Sequence, residues 1–336
     1  AAVLGANDGL VSNLALVMGI GATGATHAFV LFSGIAGLLA GALSMGAGEF
    51  VSVRSQRELL EATEPNGYAD AVIALAAGSR TRARLRASHE WNWVRAMWAA
   101  SLIAGVVAAW LVNSTLDLGS GTMLVPAVVG LFVVAGVGLA ETVVRPPRPA
   151  GVRTASLTSR RVLDYLPRTL TNAVVAVSAV HVATLTLATS TASADDMGRA
   201  GRQVAAQCGN VGSAAGPYPG SFYSGPLALL LLVIALATAA ALTAVVRRPR
   251  GFAPDDVADD VLRQRSATRI VAAAGAAVAA SHAGIAFFAG TALLRMDCQR
   301  AWMDPAGWLL VASVPTALVL LGWFLARILT PGALPA

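Results

Sequence analysis

Residues 224–246 read SGPLALLLLVIALATAAALTAVV, an unbroken run without one ionisable side chain. About 20 apolar residues in a helix span the hydrocarbon core of a bilayer, and this stretch is long enough to do so. Working outward from it, seven more runs of similar texture lie near residues 3–25, 29–53, 94–112, 122–144, 169–190, 270–294 and 306–328. The expected fold is all-α, a polytopic membrane protein with about eight transmembrane helices embedded in membrane lipid. The totals agree: of 336 residues, 56% are hydrophobic and 12% charged, with a mean hydropathy of +0.66, against roughly 25% charged residues in soluble domains. The net charge of +6 does not indicate nucleic acid, because the basic residues sit in short segments between apolar runs and not on one soluble face. All of them are arginine, which reads as compositional bias.

Arginine placement predicts orientation through the positive-inside rule. Segment 145–169 carries Arg145, Arg148, Arg153, Arg160, Arg161 and Arg168, and segment 247–269 carries Arg247, Arg248, Arg250, Arg263, Arg265 and Arg269. Both are expected in the cytoplasm, with the Arg80–Arg86 cluster, Arg54, Arg57 and both chain termini, in a bacterial plasma membrane. Trp91, Trp93 and Trp98 around Arg95 read as an interfacial aromatic anchor. The chain opens without Met inside an apolar run, so the true N-terminus is expected upstream, and no cleavable signal peptide is evident.

The opposite side then holds the segments 113–121, 191–223 and 295–305. Cys208 and Cys298 both fall there, where an oxidising exterior permits a disulfide; two unrelated thiols are the alternative. Asp195-Asp196 in the same region reads as a helix start or a solvated turn. An internal repeat is expected over 122–190 and 221–294, with chance similarity between Ala/Val-rich spans as the alternative. Each copy has an early proline (Pro126, Pro226), an arginine-proline segment, and a span with one histidine (His181, His282). Each histidine reads as a neutral side chain bonded to a neighbouring helix, with a proton relay or a metal site as the alternatives. Glu141 reads as an interfacial pair with Arg145.

The first two runs hold the residues most expensive to keep in lipid: Asp8 in GANDGLVS (5–12), then Met45 and Glu49 in SMGAGEF (44–50). A charge at the bilayer centre costs about 2.5–3.5 kcal/mol on insertion scales and usually marks an ion or proton path. Asp8 and Ser12 are four apart, as are Met45 and Glu49, so each pair shares a helix face. Gly5/Gly9 and Gly37/Gly41 supply small faces that let two such helices approach closely. Two carboxylates with a polarizable sulfur suit a transition metal such as Fe2+ or Mn2+ better than Mg2+ or Ca2+. The plainer alternatives are an N-cap at Asp8, an interfacial Glu49 beside Arg54, and packing for Met45.

Residues 1–61, with the NDGLVS block, the SMGAGEFVSV block and the SQRE tail in order, resemble the first two spans of the vacuolar iron transporter (VIT) family. The resemblance implies a homodimer whose first two helices line the ion route. It makes Asp8 and Met45 translocation ligands, sets Glu49 in the same pathway, and has proton entry drive Fe2+ or Mn2+ out of the cytosol. Family members join their second and third spans through a Glu-rich cytoplasmic metal-binding domain. Here residues 54–93 offer only Glu58, Glu61, Glu64, Asp70, His89 and Glu90, diluted by arginine. Glu58 and Glu61 are a remnant of that domain or simply a solvated helix face.

The expected organisation is a VIT-like hairpin (1–61), a short cytoplasmic connector (62–93), and a six-span domain (94–336) resembling an actinobacterial membrane protein of unknown function. The expected activity is a divalent-metal transporter, proton-coupled and truncated relative to the family. The alternative is a non-transporting membrane scaffold with a vestigial hairpin. No phosphate loop, zinc-type spacing or nucleophile elbow is present, so neither an enzyme nor a resident cofactor is expected.

Overall fold

The computed structural model describes residues 80–143, 160–248 and 256–329, together with Leu14, Val17, Met18, Ile20, Val30, Ser33, Gly34, Gly37 and Gly41. The chain divides into two units, Ala1–His89 and Glu90–Ala336. In the first unit the described positions from Leu14 to Gly41 are all helical and fall within the two runs that hydropathy marks as spans, and residues 80–89 open the first long helix. Six helices follow: α1 (Arg80–Thr115), α2 (Ser120–Val143), α3 (Arg168–Thr191), α4 (Ser221–Arg247), α5 (Asp256–Leu294) and α6 (Met303–Leu329). All six contain a stretch long and apolar enough to cross a membrane, six such helices among the described residues where about eight are expected over the whole chain. The runs at 3–25 and 29–53 lie largely outside the described residues.

Two helices begin earlier than the hydropathy predicts. α1 starts at Arg80, so part of the expected connector is already helical. α5 starts at Asp256, placing Arg263, Arg265 and Arg269 on its first turns and not in a loop. The reason is that Ala, Arg, Gln and Leu favour helix, and arginine ends an apolar window without ending a helix.

α5 is the centre of the second unit. Of its most apolar stretch 83% is buried, against 11% for α1, which lies at the periphery. Its run VAAAGAAVAASHAGIAFFA (271–289) is built from small side chains that allow backbones to approach. A Cβ on Gly275 would lie 2.8 Å from both the Phe324 ring of α6 and Val174 of α3. On the α2 side, a Cβ on Gly130 would lie 2.9 Å from the Ala277 backbone. Larger residues close the layers around this column, including Ile270, Ile234 and Phe324.

The segment between α3 and α4, expected as a loop, contains a β-hairpin of β1 (Val204–Cys208) and β2 (Val211–Ala215), paired antiparallel with Cys208 opposite Val211. The two-residue turn Gly209-Asn210 has Gly209 at φ 60°, the left-handed region that such turns require and glycine tolerates. Alternate residues Val204 and Ala206 face inward, onto Ala286, Leu293 and Met303, the period-2 burial of a strand packed on one side.

Candidate functional site

In the first unit, Gly34, Gly37 and Gly41 recur at helical spacing on one face. A Cβ on Gly34 would lie 3.1 Å from Val17 Cγ2, so the Val17 side chain packs onto the bare face that Gly34 leaves on its helix. This is the close approach that the small-residue face predicts. Leu14 and Met18 are exposed. Asp8, Ser12, Met45, Glu49, Glu58 and Glu61 all lie outside the described residues, as do Gly5, Gly9 and Arg145.

The second unit has two polar ends and an apolar middle holding two histidines. At one end Cys208 and Cys298 form a disulfide, with Cα atoms 5.9 Å apart across 90 residues of sequence. It ties the β-hairpin to the α5–α6 connection, and the Asp297 amide adds a hydrogen bond to Ser213 Oγ at 3.1 Å. Asp195 organises the same end. Its carboxylate accepts from the amides of Met197 and Arg199, from Arg199 Nε, and from Arg202 Nη1. Desolvation pushes the Asp195 carboxyl upward, but the hydrogen bonds from Arg199 and Met197 and the Arg199 charge outweigh it and hold it below its ordinary value. Asp195 is thus not a helix start: it opens a turn, its carbonyl accepting from the Gly198 amide at 2.8 Å with Asp196 exposed at the tip, while two arginines fold its carboxylate in. Arg202 also reaches Leu118 O at 3.4 Å, and Tyr223 donates to the same carbonyl at 2.9 Å. Leu118 has φ 66°, a strained position for a residue with a Cβ, and these two donors grip it.

At the other end Glu141 of α2 accepts from Ser266 Oγ at 2.6 Å and Arg269 Nη1 at 2.7 Å, both on α5. Arg269 is thus a partner of Glu141 from 128 residues away in sequence; the expected partner, Arg145, lies outside the described residues. The Arg269 guanidinium lies 5.6 Å from the centre of the Trp98 ring, so Trp98 serves as a cation–π platform. Arg263 is fully buried, donating from Nη1 to Val245 O at 2.7 Å and Val246 O at 3.0 Å, and from Nη2 to Arg248 O at 2.7 Å. Carbonyls in the last turn of a helix lack intrahelical partners, and this guanidinium supplies them for α4. Tyr165 donates to Asp260 at 2.9 Å. Burial, then the Asp260 carboxylate, raises the Tyr165 phenol above its ordinary value.

Between the ends, α3 and α4 stand apart and leave a groove of about 960 Å³ backed by Ala274 and Val278 of α5. Its walls are mostly apolar, interrupted by Ser178, His181, Thr186, Thr189 and Ser224. Thr189 and Ser224 hydroxyls meet at 2.7 Å and close one end. His181 on α3 and His282 on α5 lie ring to ring, 5.6 Å between centroids and 88° between planes. His282 Nε2 is 3.1 Å from Ser313 Oγ of α6, the neighbouring-helix bond expected for such a histidine. His181 departs from that expectation, since both its ring nitrogens are buried without a hydrogen-bond partner. Among the described residues no cluster of three or more His, Cys, Asp or Glu side chains is placed to hold a metal. Sequence reasoning marks both histidines by their matching places in the repeat but not their meeting, which depends on how α3 packs against α5.

The VIT family matches residues 1–70. Vacuolar iron transporter homolog 5 of Oryza sativa subsp. japonica is 63% identical over 59 residues, covering 18% of this chain and 28% of that protein. Vacuolar iron transporter homolog 2 of the same plant is 53% identical over 78 residues, covering 23% and 41%. Vacuolar iron transporter homolog 4 of Arabidopsis thaliana is 59% identical over 59 residues, covering 18% and 30%. The chain thus spans well under half the length of these relatives. No solved structure matches it. An N-terminal segment similar to vacuolar iron transporter homologues is joined in this chain to a six-helix, membrane-capable unit.

Proposed function

We propose that the chain is a membrane transporter of a divalent transition metal, Fe2+ or Mn2+, exchanged for protons, with the route along the first hairpin. Asp8, Met45 and Glu49 bind the ion in transit, Ser12 adds a hydroxyl, and Glu58 and Glu61 are the remainder of a cytoplasmic capture site. The observations that carry this reading are the VIT family match over residues 1–70 and the 63% identity over 59 residues to a vacuolar iron transporter homologue. The close approach at Gly34 and Val17 supports it, because side chains on two helices converge on one ion only if the backbones are near. Homodimerisation brings two such hairpins into one assembly.

Orientation is part of the proposal. The disulfide end is assigned to the exterior, where disulfides persist. The end carrying Arg160, Arg161, Arg247, Arg248, Arg263 and Arg269 is assigned to the cytoplasm of a bacterial cell. The test is growth of a strain sensitive to excess iron or manganese. The intact chain restores growth and Asp8→Ala abolishes the rescue at equal expression. Rescue that survives Asp8→Ala contradicts the site, and no rescue by the intact chain contradicts the activity.

A further inference from the structure

The histidine pair of the second unit invites a ligand that the hairpin reading does not use. Ser313 Oγ makes its shorter contact with Leu310 O at 2.6 Å, and with its one proton placed there it accepts at its 3.1 Å contact with His282 Nε2. His282 is therefore the Nε2–H tautomer, and its buried Nδ1, without a hydrogen-bond partner, carries an exposed lone pair. A ligating histidine takes this form when its other nitrogen is tied to a second residue that orients the ring. His181, fully buried with both nitrogens unpartnered, faces it at 5.6 Å between centroids. Leaving such groups buried and unsatisfied costs about 1–3 kcal/mol each, and a shared ligand removes that cost. Two in-line nitrogen–metal bonds of about 2 Å, added to ring radii of roughly 1.1 Å, hold two imidazoles about 6.2 Å apart, so an ion between them would draw the rings apart by about 0.6 Å from the 5.6 Å found.

We propose that His181 and His282 form a two-coordinate site for a single cuprous ion. Both ligands are neutral, and the groove wall at His181 is mostly alanine, valine and leucine, broken by uncharged hydroxyls such as Ser178 and Thr186. Desolvation rises with the square of charge, so a dication costs about four times as much as a monocation in this setting. Zinc also requires about four ligands, whereas the filled d-shell of Cu+ accepts two nitrogens in line. The groove between α3 and α4 reaches His181 past Ser178 and Thr186 and provides the way in. This site does not depend on the transport reading.

The experiment loads the full chain in lipid nanodiscs with Cu+ under anaerobic ascorbate, against bicinchoninate as competitor, and counts bound copper. Met45→Leu removes the hairpin sulfur as a second source of copper binding. In that background one equivalent is expected, lost in His181→Gln and in His282→Gln. Ser313→Ala, which keeps both ligands, should weaken affinity about 10–100-fold. Intact Cys208–Cys298 disulfide and monodisperse elution establish that each variant is folded, and X-ray absorption on the unsubstituted histidine pair should show two nitrogens and no sulfur. Copper retained in both histidine variants, or no bound copper in the Met45→Leu protein, overturns the site. Displacement of Cu+ by an equal concentration of Zn2+ overturns the assignment to a monocation.

Discussion

Arg263 is expected to be the side chain whose loss most weakens the second unit. It is fully buried and caps α4 through three hydrogen bonds to Val245, Val246 and Arg248 carbonyls. Val245 O also receives the Arg248 amide at 3.3 Å, so replacing Arg263 by alanine withdraws a donor chiefly from Val246 O and Arg248 O. Each buried carbonyl deprived of its donor costs about 1–3 kcal/mol, which gives a loss of about 2–6 kcal/mol. For a unit of this size 1 kcal/mol corresponds to about 2–4 °C, so the thermal midpoint in detergent falls by roughly 4–24 °C. Arg263→Lys keeps a positive charge near the C-terminal end of the α4 dipole but cannot span three carbonyls, and falls between. Near-ultraviolet circular dichroism on heating reads the packing directly. An Arg263→Ala protein that melts within about 1–2 °C of the unsubstituted protein would show that the Arg263 cap contributes nothing to stability.

Three further outcomes follow from the same geometry. Gly275→Ala places a methyl 2.8 Å from Phe324 and Val174 and should destabilise by about 1–3 kcal/mol, read as a lower midpoint on SDS titration; no shift means α5 has room to move. Opening the disulfide with Cys208→Ser releases a 90-residue loop worth at most about 4.6 kcal/mol of chain entropy. Its SDS midpoint should therefore fall and stop responding to reductant. Because Asp195 titrates below its ordinary 3.8, it is more acidic folded than unfolded. Its contribution is complete above that value and fades as pH falls through the folded pKa. The difference in thermal midpoint between the unsubstituted protein and Asp195→Asn should persist near neutral pH and close below about pH 4.

The spans were legible because their signal is local: a run near 20 apolar residues is its own evidence, and 169–190 differs from α3 by one residue at each end. What composition alone did not reveal depends on partners distant in sequence. Arg263 looks like any loop arginine until α4 ends beside it, and nothing local marks Arg269, 128 residues away, as a partner of Glu141. The β-hairpin did leave a signal. Val204 and Ala206 alternate with polar or small neighbours, and Gly209-Asn210 separates two short strands by the two residues that a tight turn demands. The disulfide was legible as a possibility from two cysteines on one side, while its closure required the hairpin to carry Cys208 onto the α5–α6 connection. Of the candidate site, the sequence supplied the residue types and their spacing. The described residues add the apposition of helices at Gly34 and the pairing of His181 with His282.

The central claim is that acids of the first hairpin bind a metal ion during passage. The direct measurement is flux into proteoliposomes containing the purified chain, an internal fluorescent chelator reporting Mn2+ or Fe2+ and an opposing proton gradient. The account predicts saturable metal entry that depends on the gradient and falls to the empty-liposome rate in Asp8→Ala and Glu49→Ala. Unchanged flux in both variants, or no flux above empty liposomes from the intact chain, contradicts it.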